Sequence, residues 1–177
     1  MADEQGGNEF GGGAPIDPQA SAGNVPQVGV IAQYVKDLSF ENPSAPAVFQ
    51  WQSQPHMDVQ VNIGANKVGD DVHEVSLKID VTATATEGTA FQIELLYAGL
   101  FALRNIPEEQ LQPFLLAEGP RLLFPFARQI ISETVVAGGF PPLLLDPIDF
   151  GGLYMQRAAQ AQAEATGGQA GEVTGLA

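Results

Sequence analysis

The sequence predicts an α+β fold: a four-stranded antiparallel sheet with one long helix and a C-terminal helix packed on one of its faces. Three observations carry that prediction. Four runs of apolar–polar alternation follow one another between residues 28 and 97. The apolar period then lengthens to that of a helix. Within each strand run only one parity is apolar, so the helices belong on one sheet face and the other stays bare.

The first run, VGVIAQYVKDLSFE, sets Val28, Val30, Ala32, Tyr34, Leu38 and Phe40 against Gln33, Asp37, Ser39 and Glu41. The second, HMDVQVNI, sets Met57, Val59, Val61 and Ile63 against Asp58, Gln60 and Asn62. The third, VSLKIDVTATAT, carries Val75, Leu77, Ile79, Val81, Ala83 and Ala85 on one parity. The fourth, FQIELLYAG, sets Phe91, Ile93, Leu95 and Tyr97 against Gln92 and Glu94. The breaks ENPSAP, GANKVGDD and EGT supply turn residues between them. Asp70 and Asp71 read as a solvated hairpin turn.

Helical signals follow. NIPEEQLQPFLLAEG reads as a short helix, with Asn105 near the cap and acids in the first turn. GPRLLFPFARQIISETVVAGG is the main helix. Pro120 suits its first turn, Gly138-Gly139 its stop, and Pro125 predicts a kink. Arg121, Arg128, Gln129, Ser132 and Glu133 cover an arc of roughly 140°, which leaves roughly 220° apolar. One core needs a stripe of only ~100°. The excess is met either by another subunit or by the long loops. DFGGLYMQRAAQAQAEA is the last helix, with Asp149 at its N-cap. Residues 1–25 read as a disordered arm, 26–165 as a single domain and 166–177 as a flexible tail.

Composition narrows the function. Seven basic residues face 21 acidic ones, a formal net charge of −14. A nucleic-acid partner needs clustered cations, and an anionic membrane surface needs the same. A basic protein partner fits instead. The chain has no cysteine, which removes disulfides, thiolate metal sites and cysteine nucleophiles. MADEQGGNEF lacks the pattern of a secretory signal, and no apolar run is long enough to span a bilayer. The expected compartment is the cytoplasm. His56 and His73, the two histidines, read as structural or surface residues. No phosphate loop or nucleophile elbow is present. The chain therefore reads as no enzyme, with no cofactor and no metal.

Two surfaces stand out. Strand parity puts Asp37, Ser39, Glu41, Gln92 and Glu94 on the bare face, a flat acidic patch suited to a basic partner. Two irregular, proline-rich segments carry apolar side chains. APAVFQWQSQPH holds Phe49 and Trp51, and GGFPPLLLDPIDF holds Phe140, Leu143, Leu144, Leu145, Ile148 and Phe150. Either these segments cap the core or they form an exposed binding patch.

The stretches YVKDLSFENPSAPAVFQ, DDVHEVSLKIDVTATA, FQIELLYAGLF and LFPFARQIISETVVAGGFPPLLLDPIDFGGLYMQ resemble the SecB family of protein-export chaperones. The resemblance runs from about residue 27 to 160. It implies an ATP-independent, cytoplasmic bacterial holdase that binds unfolded preproteins and delivers them to SecA, the translocon motor. It implies a homotetramer, in which protomers pair through their sheets and two dimers meet through the long helix. By the resemblance, Asp37, Glu41 and Glu94 contact SecA, and one apolar family position is Gln92 here. Phe49, Trp51, Phe140, Leu143, Leu145 and Phe150 line the groove for client peptide, with Trp51 slightly off the family's position. Two other readings stay open: a chaperone of this type dedicated to one labile partner such as an antitoxin, and a binder of small hydrophobic ligands.

Overall fold

The computed structural model describes residues 25–167. The arm expected over residues 1–25 and the tail expected over 166–177 fall almost wholly outside that span. Strands β1 (Gln27–Glu41), β2 (His56–Gly69), β3 (Val72–Ala85) and β4 (Gly88–Arg104) form one antiparallel sheet in the order β1-β4-β3-β2. Then come α1 (Glu108–Pro113), a π turn (Phe114–Glu118), α2 (Gly119–Ala137) and α3 (Phe150–Gly167). The predicted fold class is the observed one.

Strands β2, β3 and β4 are joined by hairpins. β1 instead pairs with β4, and residues 42–55 cross to the far edge of the sheet. That crossing is fastened at its ends. The Ser44 hydroxyl donates to the Thr89 carbonyl at 2.8 Å, and the Ser53 hydroxyl donates to the Glu87 carboxylate. The break expected at GANKVGDD is smaller than the sequence suggests. β2 runs on to Gly69, and only Asp70-Asp71 turns, with Asp71 at φ 55°. Gly64 pairs with Ser76 within the strand, where a Cβ would come 2.6 Å from the Ser76 hydroxyl.

The strict parity expected for β1 fails in its middle. Register shifts between Val30 and Ala32, and between Val35 and Asp37, turn the intervening residues over. Gln33 and Val35 therefore pair with Gly99 and Tyr97 on the helix side. Ala32 and Tyr34 pair with Leu100 and Ala98 on the open face. The Tyr97 hydroxyl donates to the Gln33 side-chain oxygen at 3.3 Å, which accounts for a polar residue on that side. Beyond the second shift the expected parity returns.

Helix α1, the π turn and α2 follow one another without a gap. Asn105 does not cap α1, as the sequence suggested. It sits at φ 55° and its side-chain amide donates to the Val25 carbonyl at 3.3 Å, while Pro107 holds the cap position. Helix α2 runs through Pro125 as one element. It stops at Gly138, where a Cβ would run into the Phe40 ring, and at Gly139, where φ is 89°. Asp149 caps α3, accepting the Gly152 amide at 2.9 Å.

The core lies between the helix side of β3 and β4 and one stripe of α2. Leu77, Ile79, Ile93, Leu95 and Phe101 are fully buried there. Leu123, Ala127, Ile131 and Val135 meet them at one-turn spacing. Each such large side chain contributes about 1.5–3 kcal/mol on leaving water. The rest of α2 stays uncovered within the protomer, with Phe126 and Val136 about half exposed. No helix lies over most of β1, and Val28, Val30, Val35 and Leu38 are exposed as well.

Candidate binding surfaces

Two surfaces lie on opposite sides of the sheet. On the helix side a hollow of about 420 Å³ opens between the crossing segment, β2 and the loop after α2. Val48, Trp51, Met57, Phe91, Phe140 and Leu143 line it. Its floor is a cluster of aromatic rings. Phe140 lies 4.8 Å from Phe91, 5.6 Å from Phe49 and 6.5 Å from Phe40, centroid to centroid. A second hollow of about 350 Å³ continues along the edge strand, between Met57 and Val59 on one side and Leu143–Ile148 on the other. Met57 and Leu143 belong to both, so the two form one trough.

The loop Phe140–Asp149 walls the trough because it cannot join the sheet. Pro141, Pro142 and Pro147 lack amide donors, and no backbone hydrogen bond joins the loop to β2 among the described residues. The Arg128 guanidinium holds it down, donating to the Leu145 carbonyl at 3.1 Å. Side chains then alternate. Leu144 points out and is 73% exposed, Leu143 is half-buried, and Leu145 is buried.

Of the residues the sequence assigned to a client groove, Trp51, Phe140 and Leu143 come together at the trough, and Phe49 sits against the Phe140 ring without lining either hollow. Leu145 lines its second hollow while packing into the core, whereas Phe150 is not among the lining residues and is buried edge-on to Phe124 at 5.7 Å. Leu144 and Ile148, read in the apolar segment but not assigned to the groove, line it as well, and Met57 and Val59 were missed. Met57 and Val59 had been assigned to the core side of their strand, and they do lie there. The trough reaches them because β2 is the edge strand and the loop stands off from it.

The open face behaves differently. The register sets Ser39 beside Glu94, Glu41 beside Gln92 and Asp37 beside Leu96, so the five residues assigned there by parity do share it. Asp80 stands on the other side of Glu94, and Asp58 lies opposite Thr82. Lys78 is the cation within this half. It lies 3.3 Å from Asp80 and 3.6 Å from Glu94, and both carboxylates push its pKa up, Asp80 the more. Asp37, Glu41 and Glu94 are exposed, and among the described residues no cation lies within ion-pair distance of them other than Lys78 at Glu94.

The other half of the open face carries small or apolar residues, Ala32, Ala98, Leu100 and Ala102. Tyr34 crosses it from β1. Its hydroxyl donates to Glu74 at 2.5 Å, and Lys36 holds the other Glu74 oxygen at 2.8 Å. The Glu74 bond pushes the Tyr34 pKa up to about 12. Lys36, then Tyr34, hold the Glu74 carboxyl below its ordinary range.

Comparison with known proteins identifies relatives of the chain. The family model for the preprotein translocase subunit SecB matches residues 21–161. The protein-export protein SecB of Sphingopyxis alaskensis is 63% identical over 142 residues, covering 80% of this chain and 83% of the relative. That of Zymomonas mobilis is 58% identical over 141 residues, covering 80% and 86%. That of Rhizorhabdus wittichii is 60% identical over 149 residues, covering 84% and 90%. Among solved structures, the Mycobacterium tuberculosis Rv1957 SecB-like chaperone, in complex with a ChAD peptide from the Rv1956 HigA1 antitoxin, superposes with a TM-score of 0.57. It covers 68% of this chain and 90% of the other at 15% identity, a likeness of fold alone. The readings as an antitoxin-dedicated chaperone or a small-ligand binder give way to the export proteins at 58–63% identity. The chain belongs to the SecB family, and its function is that of a protein-export chaperone.

Proposed function

We propose that the protein holds unfolded preproteins in the trough and hands them to SecA through the carboxylates of the open face. The observation that carries this reading is the separation of the two surfaces by the sheet itself. A partner can dock on one side while a client occupies the other.

The trough suits clients that share apolar character but no sequence. It offers aromatic and leucine surface along an irregular wall, where burial returns ~25 cal/mol per Å² before the costs of ordering the client. Phe49, Trp51, Phe140, Leu143 and Leu144 make the contact. Leu145 faces the second hollow and also fixes the loop to the core, and Phe150 fixes the start of α3. Holding the unfolded state draws a client's equilibrium away from folding, which needs no nucleotide and no catalytic residue.

Asp37, Glu41 and Glu94 receive the basic segment of SecA. Exposed charges of this kind govern encounter rate and specificity more than affinity. The bare edge of β1 and the uncovered stripe of α2 support assembly into a dimer of dimers, and several troughs engaged by one chain raise avidity. The working unit is the single domain over residues 26–165, in the bacterial cytoplasm. No helix among the described residues is long and apolar enough to cross a membrane, consistent with action before the translocon.

The test is refolding of an unfolded preprotein without nucleotide. Excess protein is expected to slow it, and SecA is expected to bind the complex. Unchanged refolding kinetics would refute the holding role.

A further inference from the structure

Among the described residues, His73 is the one polar or charged side chain in the buried class, at 8% exposure. It lies on the helix side of β3, opposite Phe101 of β4 and directly opposite Lys67 of β2. Its Nδ1 is shielded from solvent and has no hydrogen-bond partner. Above it, α1 and the π turn form a short cover. A hollow of about 230 Å³ separates Ala65, Lys67 and His73 from Leu111, Gln112 and Leu115 of that cover.

The charges around the imidazole are unevenly placed. Lys67 faces it across the strands, and Asp71 lies two positions away in the hairpin turn. β4 presents Phe101, and the cover presents leucines and Gln112. The carboxylates of the cover, Glu108, Glu109 and Glu118, are exposed, and Glu118 is already held by Arg121 at 2.7 Å. A proton arriving at Nδ1 therefore finds a lysine opposite and no acceptor. The cover has little of its own to resist with. α1 is six residues long and has no side-chain cap. It rests on the sheet through Leu115, which is buried, and Phe114, whose ring meets Phe101 edge-on at 5.6 Å.

We propose that His73 is an acid-sensitive latch beneath the α1–π segment: its protonation loosens the cover and uncovers Leu111, Phe114, Leu115 and Leu116. The sign follows from linkage. Burial first, then Lys67, lowers the His73 pKa in the closed form, with Asp71 opposing. The closed form then binds fewer protons than the open one. Closure is at full strength above the ordinary histidine value of 6.5 and weakens as pH falls below it toward the lowered value of the closed form.

Amide exchange of the full chain tests this, with rates divided by their intrinsic values at each pH. Between about pH 7.5 and about pH 5.5, protection over 108–118 is expected to fall several-fold while that of β3 and β4 around Ile79 and Leu95 holds. His73→Leu is expected to abolish the fall. Should that variant fail to fold, Lys67→Gln decides, because removing the facing charge is expected to shrink the fall. The proposal is overturned if the parent shows no fall, if the fall spreads evenly through the central strands, or if it persists unchanged in His73→Leu or, failing that variant, in Lys67→Gln.

Discussion

The two faces of this sheet are built from the same strands and yet have opposite surfaces. On the helix side, the odd positions of β3 and β4 are sealed by α2, and apolar surface reappears where that cover ends, along the edge strand β1 at Val28, Val30, Val35 and Leu38, and at the edge strand β2 with the proline-rich loop. On the open face nothing seals the strands, and every exposed position has to tolerate water. There the carboxylates gather at one end and small residues at the other, with Tyr34 laid across them. Alternation thus yields a face that can be sticky only at its margin and a face that can be charged across its breadth. A holding chaperone needs both, and the sheet keeps them apart by the thickness of one layer.

The comparison breaks completely if the layer between the faces is damaged. Phe91 carries that layer, fully buried beneath Phe40 and Phe140. Phe91→Ala is expected to destabilise the fold by about 3–5 kcal/mol, read by denaturant unfolding, and to weaken both binding activities together. A variant with unchanged stability would mean that the aromatic floor packs independently of the core.

Smaller changes should separate the faces. Leu144→Asp removes the most exposed leucine of the loop without touching the core. It is expected to weaken binding of an unfolded preprotein by about tenfold, read by fluorescence titration, with the thermal midpoint unmoved. Leu145→Asp serves as its contrast. It is expected to cost several kcal/mol of stability, because it buries a carboxylate in the core. On the open face, Glu94→Lys is expected to weaken SecA binding by about tenfold at low salt, with the difference shrinking as salt rises.

The smallest expected effect concerns Tyr34. Tyr34→Phe removes one hydrogen bond to Glu74 and is expected to lower stability by ~0.5–1.5 kcal/mol. Its pH signature is more telling. The raised Tyr34 pKa means that the folded state holds this proton more firmly than the unfolded chain does. The stability so gained is present below pH 10 and is lost as pH rises toward 12. The phenylalanine variant should lack that alkaline loss.

How much of this was legible in the sequence differs from element to element. The parity of β2, β3 and β4 could be read directly, because their register shifts fall only near strand ends and the helix-side face of β3 and β4 is buried. β1 could not be read through its middle. Its two register shifts fall at Ile31 and Lys36, with neither glycine nor proline to announce them, so Tyr34 was assigned to the wrong side and Gln33 with it. The acidic patch was nevertheless legible, since Asp37, Ser39 and Glu41 lie beyond the second shift. The loop was legible as extended and apolar, but composition does not fix orientation. Arg128, nine residues before α2 ends at Ala137, sets that orientation through a backbone carbonyl, a contact that leaves no pattern in the sequence. Phe150 was misread for a related reason. It opens α3 behind the Asp149 cap, and its neighbour Phe124 comes from a helix turn that sequence spacing does not relate to it.

The central claim is that client and SecA use separate faces of one sheet. The most direct measurement is a crossed titration, in which Leu144→Asp and Glu94→Lys are each tested against an unfolded preprotein and against SecA. Leu144→Asp should lose preprotein affinity and keep SecA affinity, while Glu94→Lys should do the reverse. Loss of both affinities in either folded variant, or of neither, would contradict the separation.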